Sequence, residues 1–134
     1  MKSFAISASI LALNDKELRE EAARVLDELP EEFRKQLHNI EIVVQRRPSK
    51  HQFAEIDLDS HEDVLYGLYE GVPLPDRSAF DPPILPDKIT LFSEPLLSDF
   101  PDPDKLREQI RLTVIHEIGH YFGMDDDEIE KLGY

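Results

Sequence analysis

Three side chains stand in a pattern that can hold a metal ion and put it to use. His116 and His120 lie four residues apart with Glu117 next to the first, in the run His116-Glu117-Ile118-Gly119-His120. Residues four apart share one helical face, so both imidazoles can reach a single ion. Glu117 falls about 100° round the helix from His116, too far to share the ion easily but near enough to reach a water on it. The chemistry accounts for the residue types. Neutral imidazoles hold Zn²⁺, the ion lowers the pKa of its water to about 7, and a carboxylate takes the proton as that water attacks a carbonyl. In a chain with five histidines, H-E-x-x-H arises by chance with a probability of about 2%.

The neighbours sharpen the pattern. From Leu112 to Phe122 the only side chains ionisable below about pH 9 are His116, Glu117 and His120. Ile110, Val114, Ile115, Ile118 and Phe122 form a wide apolar arc, while the histidines fall beside Gln109 and Thr113. A helix of this kind is mostly buried, and ionisable groups on it need partners, which a metal would supply. The plainer alternative is a partly solvated helix face with Glu117 in a surface ion pair. A catalytic zinc site uses three protein ligands and one open position. Only fourteen residues follow His120, leaving little chain for a ligand on a distant later helix. A ligand arriving straight after the helix needs a sharp reversal, which Gly123 permits. Asp126, six residues past His120, is therefore the expected third ligand. The alternative is that Asp125, Asp126 and Asp127 only cap the last helix and complement its dipole, a role assigned here to Asp125.

The elements that must position these residues can be read from local signals. Asp102 before Pro103 marks the start of the long helix, and Gly123 its end near Phe122. Asp125 with Glu128 predicts a cap for a final short helix through Leu132. Asn14 with Glu17 predicts another helix start, followed by the apolar stripe Leu18, Ala22, Val25 and Leu29 up to Pro30. A short helix over about 31–38 comes next. Ile40 to Gln45, Val64 to Glu70 and Lys88 to Ser93 read as strands. Between the last two, Gly71 to Pro86 carries five prolines and reads as a stiff loop.

With 134 residues, 40% hydrophobic and 33% charged, the composition is that of one globular domain. The net charge of −14 disfavours nucleic acid and anionic membrane surfaces as partners. The absence of cysteine excludes disulfides and thiol chemistry. Residues 1–13, with Lys2 and the apolar stretch Phe4 to Leu13, loosely imitate a signal peptide, but no small-residue cleavage site follows. Alternation within the stretch equally suits a strand or a docking arm, and a cytoplasmic location is expected.

His116, Glu117, His120, Gly123 and Asp126 together match H-E-x-x-H-x-x-G-x-x-H/D, and in this the sequence resembles the metzincin-like peptidases. More closely it resembles the bacterial mini-zincin family of small zinc-dependent metallopeptidases. That likeness also runs through Leu68 to Leu74 (LYEGVPL), Leu85 to Phe92 (LPDKITLF) and Pro101-Asp102-Pro103, and covers roughly residues 14–134. Residues 1–13 look like an extension outside a single domain. The resemblance implies an α+β, minimal zincin-like fold. A small twisted mixed sheet would pack on the active-site helix, with N-terminal and short C-terminal helices. It further implies a zinc peptidase with His116, His120 and Asp126 as metal ligands and Glu117 as general base. An edge strand, with Lys88 to Ser93 as the candidate, would bind extended peptide by strand addition. The pattern departs from metzincins in lacking a Met-turn, since Met124 stands too early. No residue is marked for the oxyanion; Tyr121, Tyr134 and Arg77 are available donors, each also readable as packing or surface.

Two other functions compete with a peptidase. A zinc-binding module without efficient catalysis would carry the same ligands. A bacterial rRNA-maturation endoribonuclease family carries H-x-x-x-H-x-x-x-x-x-H, which this chain resembles except for Asp126 at the third histidine and the added Glu117. The remaining charged clusters offer less. A calcium loop starting at Asp57 would need Gly and Glu where Glu62 and Leu68 stand. His38, His51 and His61 sit singly in polar contexts. Arg46, Arg47 and Lys50 are too few for a nucleic-acid footprint. A peptide or protein substrate is the expected partner, and the oligomeric state is left open.

Overall fold

A computed structural model describes residues 13–55, 65–73, 76 and 87–133. The first helix, α1 (Asp15–Asp27), starts at a capping box in which the Asn14 side chain accepts from the Glu17 N–H and Glu17 answers to the Asn14 N–H. Its stripe of Leu18, Ala22 and Val25 is buried. A single turn, α2 (Glu31–Arg34), leads into β1 (Ile40–Gln45). Next come α3 (Lys50–Glu55), β2 (Gly67–Glu70), β3 (Asp87–Phe92) and α4 (Ser93–Asp99). The chain closes with the long α5 (Pro103–Tyr121) and the short α6 (Asp126–Lys131).

The architecture is α+β. Among the described residues the sheet has three strands in the order β1-β3-β2, with β1 parallel and β2 antiparallel to β3. Lys88 to Ser93 is therefore not an edge. Its strand is the middle one, paired on both sides, and Ser93 already belongs to α4. The physical reason lies in the strand itself: Ile89, Thr90, Leu91 and Phe92 are all buried, so both faces are covered, as in a central strand. Among the described residues the outermost strand beside α5 is β2.

Ile89 and Leu91 point to the face covered by helices. There they meet Leu18, Ala22 and Val25 of α1 and the four-residue ladder Leu106, Ile110, Val114 and Ile118 of α5. Leu13 and Leu96 complete this core. A fully buried α5 ladder fixes the roll of the helix, and with it the direction of every other α5 side chain. Gly67 of β2 makes the close approach of helix and sheet possible. A Cβ there would stand 2.5 Å from Thr113 Cγ2 and 3.2 Å from the Thr90 carbonyl oxygen. At the same end of the sheet, just past β1, Arg46 and Arg47 close on Glu94 at 3.1 and 2.6 Å. The proline-rich segment falls mostly, and the acidic cluster around Asp57 almost wholly, outside the described residues, as do Tyr134 and Arg77. Among the described residues no helix is long and apolar enough to cross a membrane.

Candidate metal centre

The end of α5 makes the site. Its C-cap is Phe122, and Gly123 takes a left-handed φ of 86°. The Gly123 N–H donates to the His120 carbonyl (2.9 Å) and the Met124 N–H to the Gly119 carbonyl (3.0 Å), the paired bonds of a Schellman turn. This turn folds the chain back so that the Met124 carbonyl accepts from His120 Nδ1 at 3.0 Å. That bond places the ring proton on Nδ1 and leaves the Nε2 lone pair for a ligand. Two residues on, Asp125 caps α6 through a reciprocal box with Glu128, and Asp126 becomes the first residue of that helix. The cap at Asp125 is as the sequence predicts.

Asp126 Oδ1 lies 3.0 Å from His116 Nε2 and 3.1 Å from His120 Nε2. The three residues offer ligand atoms all within 4.8 Å of one another. Tetrahedral ligands about 2.1 Å from zinc stand about 3.4 Å apart, so this donor set fits the ion. Two imidazole nitrogens and a carboxylate oxygen, with no sulfur, also suit it chemically. The two histidine side chains are 26% and 30% exposed, leaving one side of the group open to solvent.

Glu117 points between α5 and β2 and is 7% exposed. Its Oε1 accepts the Tyr69 backbone N–H at 2.7 Å. Burial pushes its carboxyl up to about 8; the negative Asp126 adds to the rise, and the Tyr69 N–H opposes it. Tyr69 is itself fixed: its hydroxyl donates to Asp87 Oδ2 at 3.1 Å and its ring meets Tyr121 edge-on. Tyr121 points away from the ligands. Its hydroxyl donates to the Gln36 carbonyl at 2.8 Å and accepts from the His38 N–H at 3.4 Å, so it ties the α2–β1 connection to α5. Of the donors named for an oxyanion, Tyr121 is thus a packing residue. Sequence reasoning gave no role to the Tyr69 N–H or the Met124 carbonyl, because every residue carries these groups and no side-chain signature marks them.

A model of the zincin-like metallopeptidase family matches residues 37–134, and the chain belongs to that family. No curated protein matches the chain closely enough to be named as a relative. The match begins after α1, although α1 supplies three buried residues to the shared core.

Proposed function

We propose that this chain is a zinc-dependent peptidase in which His116, His120 and Asp126 hold the ion and Glu117 is the general base. The observation that carries the reading is the convergence of two Nε2 atoms and Oδ1 beside a buried carboxylate. Bound zinc would supply Lewis acidity, polarising the substrate carbonyl and making water a nucleophile near neutral pH. The chain's own groups supply the proton transfers. With Oε1 held by Tyr69, Glu117 has Oε2 to accept the proton of the attacking water. It then gives that proton to the amine nitrogen as the C–N bond breaks. A carboxyl shifted towards neutrality by burial suits both halves of this exchange, since it neither holds nor releases the proton too firmly.

An extended peptide would lie along β2, the outermost described strand and the one that touches Glu117, in place of Lys88 to Ser93, the edge-strand candidate that proves central. The −14 net charge supports a peptide over a nucleic-acid substrate.

The test is cleavage of a quenched-peptide library by wild type and Glu117→Gln, with bound zinc quantified in both. Cleavage by wild type alone at equal zinc is the expected result. Unchanged cleavage by the variant would sink the role of Glu117. Equal zinc without cleavage by either would favour a non-catalytic zinc module.

A further inference from the structure

Asp126 is the only ligand that α5 does not carry, so something must hold α6 in register. The short helix has one buried side chain, Ile129, at 2% exposure. Residues three apart share a helical face, so Asp126 and Ile129 look the same way from α6, and His116 and Gly119 do so from α5. The two helices meet through two rungs. In one, Asp126 reaches His116 and His120. In the other, Ile129 sits on Gly119 so closely that a Cβ on the glycine would stand 2.7 Å from both Ile129 Cγ1 and Cδ1.

We propose that Gly119 and Ile129 are positioning residues for the third metal ligand: the notch left by the missing Cβ seats Ile129 and thereby sets Asp126 onto the two histidines. This rests on the reading of His116, His120 and Asp126 as a metal site. Ordinary carbon–carbon contact is about 3.8 Å, so a methyl at 119 intrudes by about 1 Å on the buried Ile129 side chain, which must leave the notch or carry α6 away with it. Metal–ligand distances tolerate only about 0.2 Å, so such a displacement takes Asp126 out of coordination range. The left-handed turn at Gly123 aims the chain back towards α5, and the Gly119 notch sets how closely α6 docks.

The test measures Zn²⁺ affinity by competition with a chromophoric chelator, with folding followed by circular dichroism. The proteins are wild type, Gly119→Ala, Ile129→Val, Asp126→Ala and the first two substitutions in the Asp126→Ala background. Gly119→Ala is expected to weaken zinc by about 10–100-fold, the range seen when a ligand loses its support. Alanine is the better helix former, so weakening of α5 would not explain that loss. Ile129→Val, which trims one methyl and keeps the fold, gives a smaller loss in the same direction. Neither substitution weakens zinc further once Asp126 is absent. Wild-type affinity in Gly119→Ala, or equal losses with and without Asp126, would overturn the proposal. A wild type that binds no zinc would remove the metal centre itself, an outcome visible before any variant is compared.

Discussion

Glu117→Gln should stabilise the metal-free protein at neutral pH while it abolishes hydrolysis. The folded Glu117 carboxyl is pushed from 4.5 up to about 8, first by burial and then by Asp126. Its proton is therefore held more firmly in the folded chain than in the unfolded one. Between those two values the folded state binds more protons, so this group's contribution to stability falls as pH rises from about 4.5 and is lost through about 8. Each pH unit in that window is worth about 1.4 kcal/mol. Glutamine keeps an oxygen for the Tyr69 N–H, fills the same volume and does not titrate. The stability difference between variant and wild type should therefore grow by about 3 kcal/mol between pH 5.5 and pH 8, in favour of the variant. Urea unfolding in the presence of chelator across that range measures it, and titrations common to both proteins cancel in the difference. With zinc bound the gap should shrink, because a cation beside the carboxylate favours its charged form. A difference that stays constant with pH in the metal-free protein would refute the argument that Glu117 is buried at a cost.

Removing zinc should lower stability by about 4 kcal/mol from a sample at a thousandfold excess over Kd, and His116→Ala should erase that dependence; thermal unfolding with and without chelator reads both. Tyr121→Phe removes the donor to Gln36 and the acceptor for His38, and should cost about 1–3 kcal/mol in urea unfolding with zinc affinity unchanged. Gly67→Ala drives a methyl into Thr113 Cγ2 and should cost about 1–3 kcal/mol. Thr113→Ser removes that carbon, so the double variant should regain part of the loss in the same measurement.

What could be read from the sequence was local. The capping boxes at Asn14–Glu17 and Asp125–Glu128 and the proline after Asp102 each place a helix start, because the bonds that make them span three residues or fewer. Gly123 announced the reversal that brings Asp126 back beside the two histidines. What failed was non-local or polar. Helix α3 buries Gln52, whose amide is shared among Gln45, Ser49 and Glu70, and no apolar period marks such an anchor. Helix α4 carries Pro95 in its first turn, where the ring is tolerated, and has no side-chain cap to announce it. The order of strands depends on which segments pair. Even so, Ile89, Leu91 and Phe92 held a signal, because they put apolar side chains on both faces of the strand, which an edge strand open to water on one face would not show.

The division between what the motif provides and what the fold must add bears on where this domain begins. His116, Glu117 and His120 lie on one helix and Asp126 opens the next, so the residues of the metal group are close in sequence and converge through contacts local to α5 and α6. Glu117 is different, because its protonation behaviour comes from burial against β2 and from a hydrogen bond to Tyr69, 48 residues away in sequence. Keeping Glu117 buried requires α5 to stay pressed on the sheet, and that depends on Ile110, Val114 and Ile118 being covered on their other side. Leu18, Ala22 and Val25 provide that cover, from a helix that precedes the family match at residue 37. The His116, Glu117, His120 and Asp126 group lies in the matched part of the chain, but α1 is part of the same core and belongs to the unit that sets how Glu117 holds its proton.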